Sequence, residues 1–163
     1  MNSKKVKLYS EFRCYIKSDL DLSLNRIHAN IDNNNSKSIL IVDDEHDIVN
    51  LIKHSLETDG FQVCAFTDGF AALEHFNSYS KKDHHQIVIS DIRMPGINGY
   101  ELVKQIKQIK PQINIVLMSA FEIEKNEFLN VLPGVYIDAF IKKPFSLKTI
   151  RNVIREKIKQ TNK

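Results

Sequence analysis

The stretch Ile87-Val88-Ile89-Ser90-Asp91-Ile92-Arg93-Met94-Pro95-Gly96-Ile97-Asn98-Gly99 decides the fold, because an apolar run stops abruptly at a carboxylate and gives way to turn residues. A short apolar run bounded by Pro and Gly suits a strand buried on both faces, as in a parallel sheet. In open α/β folds such a strand delivers its trailing residues to the carboxyl edge of the sheet, where ligands bind. Asp91 is therefore the candidate for chemistry. An Asp that only caps a helix or faces solvent fits this stretch equally well, so the other strand ends must decide.

Upstream, Ile39-Leu40-Ile41-Val42 reads as a first strand ending at Asp43-Asp44-Glu45, and Ile48, Leu51, Ile52, Ser55 and Leu56 then share one helical face until Gly60 stops the helix. Phe61 to Phe66 reads as a second strand, and Asp68 caps a helix carrying Phe70, Leu73 and Phe76. A polar loop from Ser78 to His85 leads into the third strand at Gln86 to Ser90; His84-His85 has no partners at ligand spacing and reads as solvated.

Downstream, Tyr100, Leu102, Val103 and Ile106 mark a third helix ending before Pro111. Ile113 to Met118 is a fourth strand ending at Ser119-Ala120, and Glu122 to Leu132 a short acidic helix closed by Pro133-Gly134. Tyr136 to Ile141 is a fifth strand running into Lys142-Lys143-Pro144, and Ser146 caps a last helix with Leu147, Ile150, Val153, Ile154 and Ile158 on its apolar face. This alternation of β-rich runs with amphipathic helix-length segments predicts an α/β fold of βα units around a parallel sheet.

If the strands are parallel, the residues just past them gather at one edge: Asp43 and Asp44, Asp91, Ser119 and Lys143. Carboxylates crowded at a low-dielectric edge repel one another, and either raised pKa values or a cation relieves the repulsion. Oxygen ligands without His or Cys at ligand spacing suit Mg²⁺, which keeps several waters and takes one or two carboxylates plus a phosphate. Taken singly, the acidic run equally favours a helix N-terminus, and Ser119 and Lys143-Pro144 equally fit an ordinary strand end and turn.

Composition bounds these readings. A chain of 163 residues buries roughly 70% of its unfolded surface around one core. Hydrophobic content of 42% and charged content of 26% are ordinary for a soluble domain, no apolar run reaches membrane-span length, and the N-terminal region lacks a secretory pattern. A cytoplasmic protein is expected. The net charge of +3 is small and the basic residues are scattered, which argues against direct nucleic-acid binding. Two cysteines, Cys14 and Cys64, are too few for a disulfide framework, so reduced thiols are expected, with Cys64 in the core.

Residues 1–37 differ from the rest. Tyr9, Phe12, Tyr15, Ile16, Leu20, Leu24 and Ile27 suit a helical face, Leu20, Leu22 and Leu24 equally suit a strand, and the tract around Asn33-Asn34-Asn35 suits a polar linker. The domain division is therefore an N-terminal extension over 1–37, helical or disordered, and a folded domain over 38–163.

Four separated motifs carry a family resemblance: Ile-Val-Asp-Asp-Glu ending the first strand, Ser-Asp-Ile-Arg-Met-Pro-Gly-Ile-Asn-Gly at the third, Met-Ser-Ala after the fourth and Lys-Pro-Phe after the fifth. In this order they resemble the receiver domain of two-component response regulators, from about Ser38 to the C-terminus. The resemblance implies a flavodoxin-like, doubly wound five-stranded parallel sheet of order 2-1-3-4-5 flanked by five helices. It implies that Asp91 is the phosphoacceptor for a histidine kinase or histidine phosphotransfer protein. Asp43 and Asp44 would hold Mg²⁺ with Asp91 and the Arg93 backbone carbonyl, and Lys143 and Ser119 would contact the phosphoryl group. Phe140 would be the aromatic switch of a face formed by the fourth helix, fifth strand and fifth helix, which binds a protein target or relays phosphate.

Arg93 and Phe121 stand two residues beyond the acceptor and the switch hydroxyl, where the family tunes the lifetime of the phosphoryl group; both are bulky here. The chain ends soon after the last helix, which implies a stand-alone receiver that catalyses only its own phosphorylation and dephosphorylation. Homodimer formation is left open. Two other readings stand beside this one. A haloacid-dehalogenase-like phosphatase expects a second Asp where this chain has Arg93, and a phosphorylation-independent binding module would have no use for the intact acidic and Lys set.

Overall fold

The computed structural model describes residues 38–79, 85–121 and 134–161. The extension expected over 1–37 and the helix expected over Glu122 to Leu132 lie outside the described residues. Five strands, β1 (Ser38–Val42), β2 (Gln62–Phe66), β3 (His85–Asp91), β4 (Asn114–Ser119) and β5 (Ala139–Lys142), form one parallel sheet in the order β2-β1-β3-β4-β5. Among the described residues four helices flank it: α1 (His46–Thr58), α2 (Gly69–Tyr79), α3 (Gly99–Ile109) and α4 (Leu147–Thr161).

The central strands are apolar throughout because both faces are covered, and Ile39 to Val42, Ile87 to Ile89 and Ile115 to Met118 are all buried. Side chains alternate between faces. Ile39, Ile41, Ile87, Ile89, Val116, Met118 and Ile141 pack with Ile52 and Leu56 of α1 and with Ile150, Ile154 and Ile158 of α4. The alternate set, including Leu40, Val88 and Leu117, faces the side of α2 and α3, where Ala72, Phe76, Leu102 and Ile106 are buried. Each such side chain contributes about 1.5–3 kcal/mol on burial, so a one-residue slip of any central strand is strongly disfavoured.

Helix signals hold where side chains meet the backbone. The Asp68 carboxylate accepts from the Ala71 N–H at 2.8 Å, Ser146 Oγ accepts from the Thr149 N–H at 3.1 Å, and Gly60 ends α1 at φ +86°. Leu51 and Phe70, expected on buried faces, are exposed, because α1 turns Val49, Ile52 and Leu56 inward and α2 turns Ala72 and Phe76 inward.

Two strands differ at their ends. β3 runs through Asp91, which pairs with Met118, so the carboxylate is carried by the last strand residue. β5 begins at Ala139 rather than Tyr136 because Asp138 occupies the approach: its N–H donates to the Ile115 carbonyl at 2.9 Å, while its Oδ2 accepts from the Ile115 N–H at 2.8 Å. His85 does not lie in a solvated loop. It is buried at the start of β3, with its ring bonded to Ser38 and His75, partners whose proximity depends on the fold rather than on spacing along the chain. Cys64 is in the core as expected, but it is disulfide-bonded rather than reduced.

Candidate functional site

The registers bring the carboxyl ends of four strands together, with Val42 opposite Ser90, Asp91 opposite Met118 and Ser119 opposite Lys142. Asp43 follows β1, and its N–H donates to the Phe66 carbonyl at 3.2 Å, so it continues the ladder by one residue. Lys143 follows β5, and its N–H donates to the Ser119 carbonyl at 2.7 Å, which ties the ends of β4 and β5.

The Lys143 ammonium is the centre of the cluster. It lies 2.8 Å from Asp43 Oδ2, 2.8 Å from Asp91 Oδ1 and 3.2 Å from Glu45 Oε1. The other oxygens of the two buried carboxylates are held by backbone: Asp43 Oδ1 accepts from the Glu45 N–H at 3.0 Å, and Asp91 Oδ2 accepts from the Arg93 N–H at 2.7 Å. Burial pushes the Asp43 carboxyl above the usual carboxylate range; the Lys143 ammonium and the Glu45 N–H pull it back only in part, and the Asp91 charge pushes it up again. For Lys143 burial favours the neutral amine, but its bonds to the Asp43 and Asp91 carboxylates outweigh this and hold it well above the ordinary Lys value. Lys143 is therefore a fixed cation.

One partly exposed cation facing two buried carboxylates leaves an excess negative charge. Asp43 Oδ2 meets the ammonium at 2.8 Å, and a carboxylate oxygen has lone-pair capacity beyond one such contact, so it can also coordinate a cation. Exposed Asp44 lines an open depression with Ile92, Arg93 and Asn98. This oxygen-only set, of Asp43, Asp44 and Asp91 carboxylates and the Arg93 carbonyl, fits a hard divalent cation such as Mg²⁺.

Ser119 is buried at the end of β4, where its Oγ accepts from the Phe121 N–H at 3.0 Å. The Arg93 guanidinium carbon lies 4.1 Å from the centre of the exposed Phe121 ring, a cation–π contact joining the loops after β3 and β4. Phe140 is half-buried on β5 opposite Leu117. The fold thus places Asp43, Asp91 and Lys143 in direct contact, Ser119 one backbone bond away, and Arg93 against Phe121.

Sequence reasoning left two residues without a role. Glu45 pairs with Lys143, and only its place as third acid in the run hinted at this. Gly99 opens α3 against the acceptor strand, where a Cβ would overlap the Asp91 carbonyl oxygen and stand 2.9 Å from Ile92 Cα. Both obstacles are backbone, so Gly99→Ala is expected to cost about 3 kcal/mol, the upper end for overpacking, in urea unfolding. An unchanged midpoint would show that the loop yields.

A family model described as a response regulator receiver domain matches residues 39–155. The chain is 31% identical over 115 residues to the alkaline phosphatase synthesis transcriptional regulatory protein PhoP of Bacillus subtilis, covering 71% of this chain and 45% of that protein. It is 37% identical over 108 residues to the response regulator SaeR of Staphylococcus epidermidis, covering 66% of this chain and 44% of that protein. The chain thus spans less than half the length of these relatives. Among solved structures, the response regulator TrrA of Thermotoga maritima in complex with Mg²⁺ and beryllofluoride aligns with a TM-score of 0.62 at 29% identity, covering 74% of this chain and 98% of that one. A receiver domain protein of Clostridium thermocellum aligns with a TM-score of 0.67 at 25% identity, covering 77% and 97%.

Proposed function

The chain belongs to the response regulator receiver family, and we propose that Asp91 accepts a phosphoryl group from a histidine kinase or histidine phosphotransfer protein. The observation that carries this reading is the Lys143 ammonium held 2.8 Å from both Asp43 and Asp91 at the carboxyl edge of the sheet. An Asp91 oxygen attacks phosphorus, the bond from phosphorus to the donor imidazole nitrogen breaks with its electron pair going to nitrogen, and an acyl phosphate forms. Asp43, Asp44, Asp91 and the Arg93 carbonyl would hold Mg²⁺, which supplies charge neutralisation at the phosphoryl oxygens.

Lys143 then exchanges its bond to Asp91 for one to a phosphoryl oxygen. Ser119 Oγ accepts from Phe121 in the unphosphorylated state, which leaves its O–H to donate to the phosphoryl group as the two approach. That movement vacates space for Phe140 to turn inward. The surface around β5 and α4 changes shape, and a protein target binds it or phosphate is relayed onward. The protein catalyses only its own phosphorylation and dephosphorylation, acts without binding nucleic acid directly, and works in the cytoplasm. Among the described residues no helix is long and apolar enough to cross a membrane.

Incubation with an acyl phosphate and Mg²⁺, followed by intact mass, tests the reading: one phosphoryl adduct is expected with Mg²⁺ and essentially none with a chelator. Continuous release of phosphate beyond one equivalent, fast enough for a phosphatase, would contradict it. The Arg93–Phe121 contact supports a further expectation, that these bulky groups obstruct the in-line approach of water to the acyl phosphate. Replacing both with Ser is expected to speed dephosphorylation severalfold, read as decay of the adduct; an unchanged or slower decay would remove this role.

A further inference from the structure

A second set of ligand atoms converges on the α2 side of the sheet, away from the acidic edge. Cys64 of β2, His75 of α2 and His85 at the start of β3 each offer one ligand atom, and these atoms all lie within 4.8 Å of one another. His75 Nε2 is 3.1 Å from His85 Nε2. Two imidazole nitrogens on one tetrahedral zinc stand roughly 3.3 Å apart, given Zn–N bonds of about 2.0–2.1 Å.

The surroundings orient the pair. Ser38 Oγ lies 3.0 Å from His85 Nδ1, so that nitrogen is occupied and Nε2 is turned toward His75. Phe76 stacks on the His85 ring at 6.0 Å, and Phe66 packs at a tilt against His75 at 5.0 Å. His85 and Cys64 are buried while His75 is half-exposed, which gives an entry path from the helix side.

We propose that the dithiol-reduced protein binds one Zn²⁺ through Cys64 Sγ, His75 Nε2 and His85 Nε2, with water in the fourth position. Cys64 is disulfide-bonded in the structure, so the site is redox-gated. A dithiol transfers two electrons, the disulfide takes up two protons to become two thiols, and the dithiol becomes a cyclic disulfide. Zinc then displaces the Cys64 thiol proton to solvent, and the proton between the two Nε2 atoms moves to Nδ1 of the ring that carried it, so both imidazoles bind as neutral ligands. One thiolate and two imidazoles suit zinc rather than Mg²⁺, so the ligand set is chemically distinct from the oxygen cluster at Asp91. The bound ion links β2, α2 and β3, and through Ser38 the start of β1.

The test uses the full chain, reduced with dithiothreitol and desalted without air, titrated with Zn²⁺ against a chromophoric chelator. One equivalent is expected to be held by the reduced protein and none by the oxidised protein. Cys64→Ser and His75→Gln should each weaken binding about tenfold or more. With Co²⁺ as a probe, the reduced protein should show a sulfur-to-cobalt charge-transfer band that Cys64→Ser lacks. His75→Gln alters a half-exposed helical position and keeps the test open if the core variant misfolds. No zinc uptake by the reduced protein, wild-type affinity in both variants, or displacement by excess Mg²⁺ would overturn the proposal.

Discussion

Asp91→Asn is expected to take up no phosphoryl group from an acyl phosphate in the presence of Mg²⁺, while remaining folded. An amide oxygen is a poor nucleophile and cannot form the acyl phosphate, so the loss should be complete rather than graded. The shape of the site survives the change. The Asn carbonyl can still accept from the Arg93 N–H, now 2.7 Å from Asp91 Oδ2, and the Lys143 ammonium keeps Asp43 as its buried partner. Removing one of two buried carboxylates also lowers the excess negative charge at the edge, so thermal unfolding should move little or upward. Phosphorylation of the Asn variant at the wild-type rate would place the acceptor elsewhere.

The second large effect is expected from Lys143→Ala. The substitution leaves Asp43 and Asp91 buried without their shared cation, and breaking a buried pair from one side costs about 3–5 kcal/mol. The Lys143 side chain retains some solvent contact, 14% of its surface, so about 3 kcal/mol in Mg²⁺-free buffer is the reasonable scale. Mg²⁺ should restore part of that loss, because a divalent cation held by the same carboxylates binds only the folded state. Urea unfolding with and without a chelator reads both quantities. A midpoint equal to wild type in chelator, or no response to Mg²⁺, would mean that the ammonium does not neutralise the cluster.

The site was legible at strand ends and illegible wherever contacts cross the fold. Asp43, Asp91, Ser119 and Lys143 each follow or end a run of β-branched and apolar residues, so parallel pairing alone is enough to gather them. The sheet order came from the family resemblance, and the alternation of elements supported it. Other features left no trace along the chain. His85 looked like part of a polar loop because its partners are Ser38 and His75, and Cys64 looked like a reduced core thiol because nothing near it in sequence reports a disulfide. The late start of β5 depends on an Asp138 side chain that takes a backbone role. Gly99 read as an ordinary turn residue, although its lack of a side chain is what lets α3 start against the Asp91 carbonyl. Leu51 and Phe70 were misplaced because helix periodicity fixes a stripe only to within about one residue.

The most direct measurement of the central claim is the position of the phosphoryl group. Protein phosphorylated by an acyl phosphate with Mg²⁺ is reduced with borohydride, which converts the acyl phosphate carboxyl to an alcohol, and is then mapped by peptide mass spectrometry. One modified residue is expected, Asp91, labelled only with Mg²⁺ and absent in Asp91→Asn. Modification of Asp43, Asp44 or another carboxylate with Asp91 untouched, or labelling of Asp91 that does not depend on Mg²⁺, would contradict it.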